Sequence, residues 1–140
     1  MRDRRLTHAM RAPAMTLLAL VACGHASMVT YQGVRSEHEA EFFADGTTLV
    51  MRVSNPGVGT LVPYPPAMEN GKVVLEIGVV SGGTRTKRTH CLPIQGANPG
   101  ADWPNRLFLR EYDGKLVKIA SVNTGEPARA AAALCAAPAK

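Results

Sequence analysis

A chain of 140 residues holds at most one domain. Its 16 Lys and Arg against 11 Asp and Glu give a net charge of +5, but residues 1–22 contain four arginines and one aspartate, which leaves 12 basic against 10 acidic residues in the rest. That near-balance removes the main argument for nucleic acid as a partner, because such binding needs a concentrated basic face.

The N-terminus falls into three zones. Residues 1–11 carry Arg2, Arg4, Arg5 and Arg11, residues 12–22 are apolar around Leu17, Leu18, Leu20 and Val21, and the small residues Ala22, Gly24 and Ala26 follow. A basic start, a short apolar core and a small-residue exit predict an export signal over residues 1–22. The apolar zone is about half the length of the roughly 20 residues that a membrane-spanning helix needs.

Leu20-Val21-Ala22-Cys23 resembles the bacterial lipobox. The resemblance covers the first 23 residues and does not extend to the domain. It implies that Cys23 takes a diacylglycerol, that the signal is cut before it, and that the new amine is acylated. Gly24 in place of Asp implies sorting to the outer membrane, as in diderm members of the family. Each buried CH₂ contributes about 0.8 kcal/mol, so several acyl chains anchor stably where one does not. The alternative is ordinary cleavage after Gly24-His25-Ala26, which gives a soluble periplasmic or secreted protein. Export also orders the cysteines. With Cys23 acylated or removed, Cys91 and Cys135 remain as the one pair, and an oxidising compartment favours their disulfide; the alternative is two free buried thiols. The chain has no C-x-x-C, which disfavours a thioredoxin-like redox site or a Cys₄ zinc site.

Residues 23–35 read as a tether leading into a first strand at 28–34, ahead of a β-domain over 36–126. Two readings compete at 36–46. Ser36 and Glu39 have the spacing of a capping box opening a helix that stops at Gly46. Against it, Glu37, Glu39 and Glu41 alternate with His38, Ala40 and Phe42, the period of a half-buried strand. A two-residue turn at Asp45-Gly46 sets Phe42 opposite Leu49, Ala40 opposite Met51 and His38 opposite Val53, with Glu39 opposite Arg52 on the other face. Both faces then make sense, which favours the hairpin.

Pro56, Pro63, Pro65 and Pro66 exclude a central strand and predict a long loop or ragged edge. After Asn70-Gly71, residues 72–80 form the clearest strand, with Val73, Leu75, Ile77 and Val79 on one apolar face. Gly82-Gly83 turns the chain into 85–92. Direct pairing across that turn puts Arg88 and His90 on the core side, where an unpaired arginine is costly. A shifted register or an edge position resolves the conflict. Residues 93–105 read as loop. Strands at 106–112 and 115–122 form a last hairpin about Asp113-Gly114, pairing Phe108 with Ile119 and Leu109 with Lys118. Residues 127–140 are an Ala-rich, helix-prone tail that brings Cys135 back to Cys91.

About seven short strands predict an all-β fold, a small antiparallel β-sandwich or barrel with a short Ala-rich C-terminal helix or tail. It is immunoglobulin-like in architecture only, because Trp103 lies in a loop between the cysteines. Catalysis finds little support. His38 and His90 are the domain's histidines and neither has ligand spacing, so no metal or cofactor is expected. His90 and Cys91 point to opposite faces of a strand and cannot act as base and nucleophile. Glu37, Glu39 and Glu41 share a solvated face and do not converge as acid/base work requires.

The binding candidates are Arg85, Lys87 and Arg88, and the loop aromatics Tyr64 and Trp103. The cationic run reads either as protection of an edge strand or as a contact for an anionic partner. The aromatics read either as binding residues or as lids packed on the domain. Together these features predict an exported, lipid-anchored envelope protein. Its non-catalytic β-domain binds a protein partner, as an envelope-machine component or an enzyme inhibitor would. The alternative is a soluble periplasmic module that binds a small ligand or glycan around Trp103.

Overall fold

The first strand is Glu41–Asp45 (β1), and the chain reverses at Gly46, which takes a φ of +58°. Glycine adopts that left-handed conformation without steric cost. The return strand is Thr48–Asn55 (β2), paired Phe42↔Met51, Ala44↔Leu49 and Asp45↔Thr48. The turn is therefore Gly46-Thr47, and the pairing lies two residues from the expected one. Side chains alternate with a period of two, so the faces are unchanged: Phe42, Ala44, Leu49, Met51 and Val53 all point into one core.

The computed structural model describes residues 29–57 and 59–136. It is a β-sandwich-like arrangement of ten short strands in three sheets, with no closed barrel. The first sheet has the order β10-β1-β2-β7, where β7 is Thr86–Pro93 and β10 is Val122–Asn123. A two-stranded ribbon pairs Gly59–Pro63 (β3) with Ile77–Ser81 (β6). The last sheet has the order β4-β5-β8-β9, built from Ala67–Glu69, Lys72–Leu75, Leu107–Arg110 and Leu116–Lys118. Leu61 and Ile77 of the ribbon meet Val73, Leu75, Leu107 and Leu109 of the last sheet, and all lie in the same buried cluster as Phe42, Leu49 and Met51.

Several local expectations are corrected. Residues 31–37 form a helix (α1, Tyr31–Glu37) where a strand was expected; Thr30 caps it by accepting from Gly33 N at 3.0 Å. Glu39 sits at a φ of +49° and separates that helix from β1. The apolar run 72–80 is two strands, broken at Glu76, and Val79, the last residue of the expected apolar face, is 41% exposed. Across Gly82-Gly83 the chain does not fold back on β6. It crosses to β2, and β7 becomes the terminal strand of the first sheet, so the edge position is the outcome.

The hairpin of β8 and β9 pairs Phe108↔Lys118 and Leu109↔Val117, one residue from the expected register. A one-residue slip exchanges the faces. Leu107, Leu109 and Ile119 are buried, and Phe108 instead lies 5.3 Å from the Lys72 ammonium. The sheets are also not wholly antiparallel, because β1 pairs with β10 and β5 with β8 in parallel. The C-terminal segment is a helix, Glu126–Ala136 (α2), whose Ala128 and Ala131 pack on Phe43 and Val50 of the first sheet's outer face.

Cys91 of β7 and Cys135 of α2 form a disulfide, with Cα atoms 6.1 Å apart. Disulfides persist in oxidising compartments, so this bond points to an exported chain. The bond closes a loop spanning 44 residues. Loop-closure entropy for that length amounts to about 4 kcal/mol. Reduction, or the Cys91→Ser/Cys135→Ser pair, is expected to cost about that much in urea titrations. An unchanged unfolding midpoint in reductant would contradict it.

Candidate functional site

The cationic run lies on the last strand of the first sheet. Thr86, Lys87, Arg88 and Thr89 pair with Asn55, Ser54, Val53 and Arg52, and no strand pairs beyond β7 among the described residues. Lys87 and Arg88 are exposed, as is Arg85 just before the strand. Arg88 and His90 do point to the core side of the sheet, like their partners Val53 and Met51. The edge makes this tolerable: burial fades along the strand from Leu92, at 7% exposure, through half-buried His90 to exposed Arg88.

Two shallow depressions flank the run. One, of about 350 Å³, is lined by Glu39, Glu41, Arg52, Lys87, Arg88 and Leu134. The second, of about 460 Å³, includes Glu37, Glu39, Asn55, Arg85 and Lys87. Acids thus face bases across the groove. The ion pairs among the described residues lie elsewhere, at Arg106–Asp102, at Arg110 with Glu69 and Glu76, and at Arg129–Glu126. The groove charges thus take part in none of these ion pairs and are available to a partner.

Of three buried polar side-chain atoms without a partner among the described residues, one is on His38 and two are on β2 and β7. Asn55 accepts from Leu61 N at 3.2 Å through Oδ1, while its Nδ2 donates to nothing. His90 Nε2 is likewise unpartnered. Burial, and after it the positive charge of Arg88, lowers the His90 pKa from its ordinary 6.5.

The aromatic candidates part company. Trp103 begins a 3₁₀ turn, Trp103–Arg106, is 1% exposed, and donates from Nε1 to Gly46 O at 2.7 Å. It clamps the β1–β2 turn from inside and offers no surface to a ligand. Tyr64 is 40% exposed and lies over Gly78, where an added Cβ would come within 3.2 Å of its hydroxyl. It shares a shallow hollow with Glu69 and Glu76, both held by Arg110. Tyr64 and Trp103 are thus not brought together with Arg85, Lys87 and Arg88. Cys23 lies outside the described residues.

Sequence reasoning missed other surface groups. Tyr112, Val80, Leu134 and Val79 are exposed large apolar side chains. Val79 carried the opposite signal, since its alternation placed it with the core. Leu134 lay in a tail whose one predicted contact was Cys135 with Cys91.

Among the described residues no group of three or more His, Cys, Asp and Glu could hold a metal ion, and no helix is long and apolar enough to cross a membrane. No protein-family model matches the chain, and no curated protein or solved structure is found to be similar to it.

The lowered His90 pKa has a definite consequence for stability. The folded state resists protonation that the unfolded chain accepts near pH 6.5, so acid favours unfolding between 6.5 and the lower folded value. His90→Gln is expected to flatten the loss of urea-midpoint stability between neutral and mildly acidic pH. An equally steep loss in the variant would count against this assignment.

Proposed function

We propose that this chain is an exported envelope lipoprotein, held at the periplasmic face of the outer membrane through Cys23, whose non-catalytic β-domain binds an acidic protein segment along β7. One observation carries the reading: β7 ends its sheet, presents exposed Lys87 and Arg88 after exposed Arg85, and is tied to α2 through Cys91–Cys135. A terminal strand has backbone donors and acceptors ready for an added strand, and side-chain contacts on that strand supply selectivity. Carboxylates on the partner meet the three cations. The charges speed encounter more than they tighten the complex, and added salt screens them.

Glu39 and Glu41 line the same groove as Lys87 and Arg88. They disfavour a partner that is acidic throughout and favour one carrying a base beside its acids. Such an occupant suits a component of an envelope machine or an enzyme under inhibition. The disulfide supports the exporting half of the reading, and the basic, apolar and small-residue zones of residues 1–22 agree with it. Burial of Trp103 leaves the small-ligand or glycan reading without an exposed aromatic at its centre.

Two measurements test the proposal. Cys23→Ser is expected to move the protein from the membrane to the soluble fraction; persistent membrane association refutes the anchor. A photo-crosslinking residue in place of Thr84, in cells, is expected to give a discrete adduct that Lys87→Glu/Arg88→Glu abolishes. An adduct unaffected by charge reversal, or no adduct at all, refutes the role of the edge.

A further inference from the structure

The described chain begins at Val29, a buried residue whose carbonyl accepts from Tyr112 N at 3.1 Å. Two residues on, Tyr31 N donates to Glu111 Oε2 at 2.8 Å. The chain therefore joins the domain beside the loop that links β8 to β9. Val29 lies six residues along the chain from Cys23. Fully extended, that stretch reaches roughly 20 Å. A domain of about 100 residues has a radius of gyration of about 13 Å, so its far side lies beyond the reach of that tether. An anchor at Cys23 would keep the Val29 side turned toward the bilayer.

The groups on that side suit the position. Tyr112 is 66% exposed, Val79 is 41% exposed, and both line one depression of about 460 Å³ with Val29, Thr30 and Val34. Val80, the next residue of β6, is 57% exposed but points to the opposite face of the strand. Two of the five large apolar side chains left exposed among the described residues, Tyr112 and Val79, thus share this depression. Tyrosine, with an apolar ring and a polar tip, favours the headgroup level of a membrane. The charges nearby have mixed sign: Glu37 lines the depression, and Asp113 and Lys115 follow Tyr112. The face is therefore not a polybasic attractor, and it would orient a domain that acyl chains already hold.

We propose that the face of Tyr112 and Val79 lies against the lipid surface, an inference that rests on acylation at Cys23. The anchor supplies affinity and this face sets orientation.

The test uses the acylated mature protein in phosphatidylcholine vesicles, with and without brominated phospholipid, which quenches nearby tryptophan. Tyr112→Trp places a reporter on the face. Ala130→Trp places one on exposed α2, beyond the first sheet. Each is compared with wild type, whose emission comes from buried Trp103. The expected result is a blue shift and a loss of the added emission for Tyr112→Trp in brominated vesicles, with Ala130→Trp unaffected. If both reporters are insensitive while the protein floats with the vesicles, the anchor stands and the assigned face is overturned. If Cys23 carries no acyl mass or the protein does not float, the anchor fails and the orientation with it.

Discussion

The first sheet buries apolar side chains on both faces, and that constraint organises the surface of the molecule. Phe42, Leu49 and Met51 point into the sandwich, while Phe43 and Val50 point the other way and are equally shut off from water. Burial of such side chains contributes about 1.5–3 kcal/mol each, so the second face needs a cover. α2 provides it with small residues, Ala128 and Ala131, which let the helix sit close. A helix of this length is marginal alone in water, and its alanines offer little apolar bulk. The disulfide compensates by fixing α2 to the sheet edge.

That arrangement explains how a strand carrying Arg88 and His90 toward the core side can exist. β7 is covered near Leu92, where it pairs with Leu49, and runs out of the core by Arg88, whose partner Val53 is still buried. The strand moves from interior to surface along its own length. Its exposed half is held by β2 on one side and through Cys91 by α2, so the cations are displayed on backbone that is fixed at several points. An edge of this kind invites pairing, and charged side chains are the usual means of limiting which strands accept the invitation.

The sequence was most informative where a turn joined neighbours. Gly46 and the alternation of Ala40, Phe42, Leu49, Met51 and Val53 were enough to place a hairpin and its buried face, although not its register. The pair of cysteines was legible by elimination once Cys23 was set aside. Parallel pairing was not legible: β1 with β10 and β5 with β8 join segments with no turn between them, and turn chemistry speaks only for adjacent strands. The helix at Tyr31–Glu37 was obscured by β-branched Thr30 and Val34, yet Thr30 serves as its cap. At the candidate site, the cationic run was visible from its density. The acids that face it, and the exposure of Val79 and Tyr112, depend on the route of the chain across the sheets.

The β1–β10 pairing places the two ends of the domain in one sheet, and Asn123 Nδ2 donates to Phe42 O from 81 residues away. The cover for Phe43 and Val50 arrives later still, with α2. A chain delivered N-terminus first therefore leaves Phe43 and Val50 uncovered until residues 126–136 have emerged. Contacts this distant in sequence form slowly. The first sheet is therefore completed only once residues 122–123 have emerged, and its outer face is covered later.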